Sequence, residues 1–398
     1  MRILHVITRL IAGGAQMNTV LCAKAQAAAG HEVHIAYGPD DGPEGSLVGE
    51  AEAAGATLHP VPDLVRPVAP AADRRCFRAL RAKVRAIAPG VVHTHSSKAG
   101  IVGRAAAWAT LDDWLHAPER APAVPLVLHT VHGLPWNDAM HPLKRRLYVA
   151  LERWAARRCH HLVAITPAMA DAFVAARVAP RDRFTVIPSG VELEPILRGP
   201  TRTEARACLG MGPGPLVGLV ARLDRLKGHA DLFAAWPRVR AAAPDAQLLL
   251  VGDGPDADRI RAAGAGLPGL RWLGRTEPAA MPAVYRALDA CVLPSHQEGQ
   301  SRVLVEALAA GCPAVAYRVG GMPDVLDHGR AGALVEPGDA DALADAVTAA
   351  LRGGEAVEAM RDHGRRHVAA RYCVPAMTDA LAALLHRLRP EGVQPPRA

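Results

Sequence analysis

Short apolar runs alternate with helical segments along the chain, and this alternation restricts the possible folds more than any other feature. In the first half, runs of strand length occur at residues 3–8, 32–37, 90–95, 125–131 and 161–166. A glycine turn and a helix over about residues 15–29 join the first two runs, which together form a β-α-β unit. This pattern predicts a parallel, doubly wound sheet.

A second series of the same kind occupies the second half of the chain. Its strands are predicted at residues 216–221, 247–251, 270–273, 290–293 and 314–317, with helices between them. Residues 187–200 mix Pro and Gly without periodicity, which is typical of an interdomain linker. With 398 residues, the chain is long enough for two domains. We therefore predict an α/β protein with two Rossmann-like doubly wound domains and an interdomain cleft suited to two substrates.

The predicted domain boundaries follow from these two series. Residues 1–193 are expected to form the N-terminal domain and residues 194–372 the C-terminal domain. Residues 373–398 are expected to form a helix, over about residues 376–388, that packs back toward the N-terminal domain and ends in a loose tail.

Positive charge is concentrated in the first half. Residues 1–193 carry 22 Lys and Arg against 16 Asp and Glu, whereas the remainder carries 24 against 23. Residues 74–87 place apolar side chains at helical spacing on one side, with Arg and Lys around the rest. The usual meaning is a helix packed on the sheet with a solvated basic face, and the alternative is peripheral contact with an anionic membrane. We expect no nucleic-acid partner.

Cysteine usage and the apolar runs predict the compartment. The seven cysteines are scattered, without the spacing of a zinc site or a redox pair, which favours free thiols in a reducing environment. The first apolar run is too short for a signal sequence and is interrupted by Arg9, and no run reaches about 18 apolar residues. We expect a cytoplasmic protein, either free or peripheral on the inner face of the membrane.

Residues 294–326 carry the most informative pattern. Glu298 stands in a polar loop after a predicted strand, a helix is expected to begin near Gln300, and Glu306 lies within that helix. At about 1.5 Å rise per residue the two carboxylates would be about 12 Å apart, enough for a sugar at one end and a ribose at the other. The alternative is a loop acid and a solvent-facing helical acid. The backbone amides expected to meet a diphosphate between them are those of Gly299, Gln300 and Ser301.

Three segments in this order resemble glycosyltransferase family 4 and cover nearly the whole chain. They are the opening ILHVITRLIAGGAQ, the segment ARLDRLKGH at residues 221–229, and residues 294–326. The resemblance implies the GT-B fold, with an acceptor-binding first domain and a donor-binding second domain. It also implies retaining transfer of a hexose-type sugar from a UDP- or GDP-sugar, without another cofactor. The acceptor would be a hydroxyl group, for example of a lipid-linked saccharide or of a polysaccharide precursor.

The resemblance also assigns residues to the donor. Glu298 would bind the sugar hydroxyls, Glu306 the ribose, and Arg222 with Lys227 the diphosphate. Cations suit this last role because a departing nucleoside diphosphate develops negative charge, which preorganised positive groups stabilise in a water-poor site. The alternative for Arg222 and Lys227 is a pair of ordinary surface cations.

The predicted first domain supplies candidates at its strand ends. His132 follows the strand at residues 125–131, and the resemblance implies a histidine near the reacting sugar, where it could donate to a donor hydroxyl or polarise the acceptor. His95 and Lys98 are acceptor-side candidates. Gly13 and Gly14 would let the backbone approach a phosphate or sugar, or simply form a turn. They do not form the GxGxxG dinucleotide fingerprint, so a nicotinamide cofactor is not expected.

No metal site is predicted. The adjacent Asp112 and Asp113 do not follow a strand, and Lys and Arg can replace Mg²⁺ as counter-charge for a diphosphate. Retention, implied by the resemblance, is expected to follow a front-face route, because no carboxylate nucleophile can be assigned. Two other functions remain open: a nucleotide-sugar 2-epimerase of the same architecture, and a non-catalytic nucleotide-sugar binding protein.

Overall fold

The chain forms two compact units. The computed structural model describes residues 1–39, 45–116, 125–137 and 140–388. Unit 1 comprises Met1–Gly190 and Val374–Ala398, and unit 2 comprises Val191–Cys373. The predicted boundary after residue 193 lies slightly downstream of the observed one, and the predicted return at residue 373 lies one position before Val374.

Unit 1 is a doubly wound parallel sheet. In its described residues, seven strands pair in the order β3-β2-β1-β4-β5-β6-β7, and every pairing is parallel. The strand order reverses between β1 and β4, the kind of position where ligands bind in such sheets. In chain order the elements are β1 (Arg2–Ile7), α1 (Gly14–Ala28), β2 (Glu32–Tyr37), α2 (Val48–Ala53), β3 (Thr57–Pro60), α3 (Pro70–Ile87), β4 (Val91–His95), α4 (Ser97–His116), β5 (Leu126–Val131), α5 (Pro142–Ala156), β6 (His161–Ala164), α6 (Pro167–Ala175) and β7 (Phe184–Val186).

Unit 2 repeats this plan with six described parallel strands in the order β10-β9-β8-β11-β12-β13. Its order reverses between β8 and β11. The elements are α7 (Glu194–Leu197), α8 (Arg202–Cys208), β8 (Leu216–Val220), α9 (His229–Ala242), β9 (Gln247–Val251), α10 (Ala257–Gly264), β10 (Leu270–Gly274), α11 (Met281–Ala287), β11 (Ala290–Leu293), α12 (Arg302–Ala309), β12 (Ala314–Tyr317), α13 (Met322–Val325), β13 (Ala333–Val335), α14 (Ala340–Arg352) and α15 (Glu355–Arg371).

The last described helix, α16 (Val374–Leu388), belongs to unit 1. Its buried side chains Met377, Leu381, Leu384 and Leu385 pack in one cluster with residues of α1 and of the central strands of that sheet. The loose tail predicted beyond it falls on residues 389–398, which lie outside the described residues. The segment at residues 187–200, expected to be irregular, contains the short helix α7.

Apart from the edge strand β10, the predicted strands correspond to central strands, which are buried on both faces and therefore consist of nearly continuous apolar residues. β2, β9, β11 and β12 have the predicted bounds. The strands that were not predicted are β3, β7 and β13. β3 contains a His and a Pro and lies at the edge of its sheet with no buried residue, and the other two are only three residues long.

Helix α3 has the ordinary packing that its pattern predicts. Its apolar residues Leu80, Val84 and Ile87 are buried in the core of unit 1. On its basic side, Arg81 and Arg85 both bind Asp113 of α4. The apolar face of α3 is therefore covered by the protein and is not open to a membrane. Within the described ranges, no helix combines the length and the apolar character needed to span a bilayer.

Candidate active site

Lys227 and Glu298 meet at the carboxyl ends of β8 and β11, where the strand order of unit 2 reverses. Lys227 ends a single 3-10 turn that follows β8. Gly228 comes next with φ of 68°, and a Cβ there would lie 1.8 Å from the carbonyl oxygen of Pro294, just after β11. Only glycine allows both this backbone conformation and this close approach of the two loops. Glycine in the KGH segment thus brings Lys227 to the loop of Glu298.

The side chains of Lys227 and Glu298 form an ion pair. The Ser295 hydroxyl lies 3.3 Å from the same Glu298 oxygen, Oε1, and can donate to it. The Lys227 and Glu298 side chains are 21% and 14% exposed, so the pair is largely removed from water and its electrostatic interactions are weakly screened. The structure therefore places an ammonium and a carboxylate together at the strand ends.

The glycines after β12 support the Glu298 loop. Gly320 has φ of 51°, and a Cβ at this position would lie 1.9 Å from the Glu298 carbonyl oxygen. The amide of Gly321 donates to the carbonyl of Gly299 at 2.8 Å. The loop that carries Glu298 is therefore fixed from two neighbouring strands, β8 and β12.

Arg222 follows the end of β8 but is not drawn into this pair. Its Nε donates to the Asp224 carboxylate at 2.8 Å, and its side chain is 64% exposed. No hydrogen bond or ion pair among the described residues joins it to Lys227 or Glu298. Asp224 is buried and also accepts from the amide of Leu226 at 2.9 Å, so it orders the turn after β8. The structure thus brings Lys227, but not Arg222, into contact with Glu298.

Helix α12 begins later than predicted. It starts at Arg302, and Ser301 is its N-cap, whose hydroxyl accepts from the amide of Leu304 at 3.2 Å. The observed start lies two residues beyond the expected position near Gln300, because Ser301 caps the helix from outside its first turn. Glu298 therefore precedes the helix, and the helical rise does not determine its separation from Glu306.

Glu306 lies inside α12 and is held by a tyrosine. The Tyr285 hydroxyl of α11 donates to Glu306 Oε2 at 2.7 Å, and Arg302 lies 3.6 Å from the other oxygen, Oε1. Burial, with the Glu306 charge beside it, raises the pKa of Tyr285 well above its ordinary value, so this hydroxyl stays protonated and remains a donor. Glu306 is thus oriented, and its side chain is 18% exposed.

In unit 1, four residues form a continuous set of hydrogen bonds that we call the histidine chain: Gln26, His5, His95 and His132. Gln26 Oε1 lies 2.7 Å from His5 Nε2, and His5 Nδ1 lies 2.9 Å from His95 Nε2. His95 Nδ1 lies 3.0 Å from His132 Nε2. The chain therefore connects α1, β1 and β4 to the loop after β5.

The rings of the histidine chain are neutral. Burial lowers the pKa of His5 to about 4 and also that of His132 to about 4. Burial and the neighbouring histidines lower the pKa of His95 well below its ordinary value. At neutral pH this face of the sheet carries hydrogen-bonding groups without charge.

The other candidates of unit 1, Lys98, Gly13 and Gly14, lie outside the histidine chain. Lys98 is only 12% exposed, forms an ion pair with Asp73 of α3, and donates to the Pro67 carbonyl at 2.9 Å. Gly13 is the N-cap of α1 with φ of −149°, an extended conformation open to any residue, and Gly14 is the first helical residue. Lys98 is thus engaged by its own unit, and the backbone conformation of Gly13 does not require glycine.

Pattern reasoning did not identify the histidine cluster around His95. Among the described residues, His5, His93 and His95 each offer a ring nitrogen within 4.8 Å of the others, a group of potential metal ligands where no metal site was predicted. A signal was present in the sequence: His93 and His95 alternate along β4, and His5 pairs with His93 across the parallel strands. These three side chains therefore share one face of the sheet.

Comparison with known proteins identifies the relatives of the chain. The family model described as "Glycosyltransferase Family 4" matches residues 12–195, and that described as "Glycosyl transferases group 1" matches residues 214–353. A 2-deoxystreptamine N-acetyl-D-glucosaminyltransferase of Streptomyces fradiae is 37% identical over 230 residues, covering 54% of this chain and 54% of that protein. The chain thus matches about half the length of this relative.

A longer match is found with a D-inositol 3-phosphate glycosyltransferase of Segniliparus rotundus. It is 31% identical over 325 residues, which cover 77% of this chain and 68% of that protein. Among solved structures, Anabaena Alr3699/HepE in complex with UDP superposes with a TM-score of 0.80 at 21% identity, covering 98% of this chain and all of the other. This structural similarity shows a shared fold.

Proposed function

The chain belongs to glycosyltransferase family 4, and from this premise we propose that it is a retaining, metal-independent glycosyltransferase. It transfers a hexose-type sugar from a nucleotide diphosphate sugar, with UDP- and GDP-sugars as the expected donors, to a hydroxyl acceptor. Donor binding is assigned to unit 2. The similar Anabaena structure was solved in complex with UDP, which supports a uridine donor as the first one to test.

The observation that carries this proposal is the largely buried pair of Lys227 and Glu298. The ammonium of Lys227 can neutralise the charge that develops on a departing diphosphate, and the carboxylate of Glu298 can accept hydrogen bonds from sugar hydroxyls. A diphosphate competes with Glu298 for Lys227, so donor binding exchanges one anionic partner of the ammonium for another. Both groups stand at the carboxyl ends of β8 and β11, where a doubly wound sheet binds ligands.

The remaining donor contacts are assigned around this pair. The amides of residues 299–301 precede α12, whose N-terminal end favours an anion. Glu306, oriented by Tyr285, accepts from the ribose hydroxyls. Arg222 is bound to Asp224 only through Nε and one terminal nitrogen, so the rest of its guanidinium is available to a phosphate. Arg222 is the more exposed of the two cations.

Two classes of acceptor hydroxyl are compatible with this site. The first is the lipid-linked saccharide or polysaccharide precursor implied by the sequence resemblance. The second is a small polyol, as in the names of the relatives that act on 2-deoxystreptamine and on inositol phosphate. A peripheral membrane contact through α3 has little support because the apolar face of that helix is buried. Within unit 1, the exposed apolar side chains Leu143 and Leu147 instead lie on α5, which also carries Lys144 and Arg146.

A screen of UDP-, GDP- and ADP-sugars for thermal stabilisation tests the donor assignment, since a ligand that binds the folded state raises the melting temperature. The stabilising nucleotide sugar is then incubated with a panel of polyol and saccharide acceptors. We expect transfer with retained anomeric configuration. Isomerisation of the nucleotide sugar without an acceptor would instead identify a 2-epimerase, and binding without turnover would identify a non-catalytic protein.

Metal independence is tested in the same assay. We expect turnover to survive excess EDTA, because Lys227 and Arg222 supply the positive charge that Mg²⁺ would otherwise provide. Loss of turnover in EDTA and recovery with a divalent ion would contradict this part of the proposal.

A further inference from the structure

The hydrogen bonds of the histidine chain have a defined direction. At its first member, the amide of Gln26 is assigned with Oε1 toward the ring of His5 and with Nε2 buried without a hydrogen-bond partner among the described residues, and an amide oxygen can only accept. His5 Nε2 therefore carries a proton and donates it. In a neutral imidazole the other nitrogen is then an acceptor, so His5 Nδ1 accepts from His95 Nε2.

The same rule fixes the last ring. With its proton on Nε2, neutral His95 has a bare Nδ1, which accepts from His132 Nε2. The three neutral rings carry one N–H each, and the three hydrogen bonds of the chain use all of them. No proton remains for His132 Nδ1. Within the described residues this atom is buried and has no hydrogen-bond partner.

We propose that Gln26, His5 and His95 are positioning residues that hold His132 in the Nε2–H tautomer, so that its Nδ1 accepts a hydrogen bond from a substrate hydroxyl. The sequence left open whether His132 donates or accepts, and the chain selects acceptance. This assignment rests on the proposed function, because the hydroxyl belongs to the donor sugar or to the acceptor. Gln26 sets the direction although it stands three hydrogen bonds away from His132.

A metal ion bound by His5, His93 and His95 is the competing use of this cluster. It is disfavoured because both nitrogens of His5 and both of His95 already take part in the histidine chain. The third ring, His93, has its Nε2 at 2.7 Å from the Thr130 hydroxyl. A bound metal would have to break the hydrogen bond between His5 and His95, and so would abolish the fixed tautomer of His132.

The direct test is the protonation state of the His132 ring in solution. In uniformly ¹⁵N-labelled protein at pH 7, long-range proton–nitrogen correlation spectra distinguish a bare ring nitrogen from an N–H, and the His132→Asn variant assigns the signal. We expect Nδ1 of His132 to be bare and Nε2 to be protonated. A protonated Nδ1, or an even mixture of tautomers in the wild-type protein, would overturn the proposal.

Two variants test whether Gln26 sets the direction of the hydrogen bonds or only fills space beside His5. Gln26→Met keeps the length of the side chain but replaces the amide oxygen with a thioether sulfur, a much weaker acceptor, so the direction is no longer enforced and His132 should become a mixture of tautomers. Thr130→Val removes the partner of His93, a buried histidine outside the chain, and should leave His132 unchanged. If the His132 tautomer is the same in Gln26→Met as in the wild type, Gln26 does not set it and the proposal fails.

Ligand additions then identify the hydroxyl. UDP-glucose is added at a concentration that gives the full rise in melting temperature. If it shifts the Nδ1 signal of His132 and UDP alone does not, the hydroxyl belongs to the donor sugar. A shift that appears only after the acceptor is added assigns it to the acceptor. If the Nδ1 signal shifts neither with UDP-glucose nor after the acceptor is added, His132 Nδ1 does not contact a substrate hydroxyl. If no nucleotide sugar stabilises the protein, the proposed function fails, whereas the tautomer measurement on the free protein still decides whether the chain is directional.

Discussion

The Lys227–Glu298 pair of unit 2 and the histidine chain of unit 1 use opposite kinds of polar chemistry. In unit 2, an ammonium and a carboxylate of full charge stand in loops at strand ends, and each retains some exposure. In unit 1, neutral imidazoles stand on a buried sheet face, where burial lowers the pKa of His5 to about 4. The charged pair of unit 2 stands where a diphosphate would need to be neutralised. The histidine chain of unit 1 is uncharged, and its proposed role needs only hydrogen bonds of a fixed direction.

This difference shows that burial determines whether the polar groups of a region are charged or neutral. A fully buried charge is costly unless it is paired, so a deeply buried polar group performs best when it is neutral and fully hydrogen-bonded. A partly exposed loop can keep a charged pair and exchange its partners when a ligand binds.

The largest expected effect is acid destabilisation of unit 1. Its buried histidines have folded-state pKa values below those of the unfolded chain, so the unfolded chain binds more protons as the pH falls from about 6.5 towards 4. The stability that these rings have at neutral pH is therefore lost as the pH falls through this window. For His5 alone the shift from 6.5 to about 4 corresponds to about 3 kcal/mol.

Calorimetry at pH 7.5, 6 and 5 measures this effect. We expect the transition of unit 1 to move to lower temperature more steeply than that of unit 2. His116→Ala, which removes a histidine whose side chain is 80% exposed, serves as the control and should leave the pH dependence unchanged. Equal acid sensitivity in the two units would contradict the comparison.

The second prediction concerns a buried ion pair of unit 1. Arg104 and Glu152 form an ion pair at 2.7 Å with side chains 0% and 1% exposed. Glu152→Leu should lower the free energy of unfolding by about 3–5 kcal/mol, because it leaves the guanidinium buried without its counter-charge. The double variant Arg104→Met, Glu152→Leu should recover most of this loss in urea unfolding.

An exposed pair of unit 2 is the matched comparison for this ion pair. Arg238 and Asp345 lie 2.8 Å apart, but their side chains are 53% and 63% exposed. Asp345→Ala should leave the free energy of unfolding nearly unchanged, because an exposed ion pair is screened by water. A loss as large as that of Glu152→Leu would show that burial does not govern the two pairs.

The third prediction tests the charged pair of unit 2 through activity. Lys227→Met should lower kcat/KM for sugar transfer by about 10²–10³-fold, because it removes preorganised positive charge from the leaving diphosphate. Arg225→Met lies in the same turn, and its side chain is 76% exposed, so it should retain wild-type rates with the same melting temperature. A similar loss of kcat/KM in both variants would show that the total positive charge of the turn matters and that Lys227 has no specific role.

The smallest expected effect concerns α3, which was a candidate for membrane contact. Replacing its exposed Arg74 and Arg78 with Ala should leave binding to anionic phosphatidylglycerol vesicles unchanged at low salt, because the apolar face of α3 is inside the protein. The variant Leu143→Ser, Leu147→Ser tests two exposed apolar side chains of α5 in the same unit. Reduced binding in the α3 variant alone would restore the membrane role predicted for that helix.

Much of the fold could be predicted because central parallel strands are buried on both faces. Their apolar runs gave β2, β9, β11 and β12 with the observed bounds, whereas β3, which has no buried residue, showed no such run. The start of α12 was misplaced because a capping serine and a helical serine look alike in sequence. The geometry of Glu298 and Glu306 could not be predicted, since it depends on glycine contacts between loops of different strands.

The sequence by itself determined the two α/β sheets, the family, and the residue types gathered at the strand ends of unit 2, because periodicity and short motifs are local properties of the chain. Tertiary structure alone decided which groups touch. It paired Lys227 with Glu298, tied Lys98 to Asp73, and joined Gln26 to His132 through two further rings. These contacts join residues far apart in the chain, and their energies depend on burial, which only the packed fold creates.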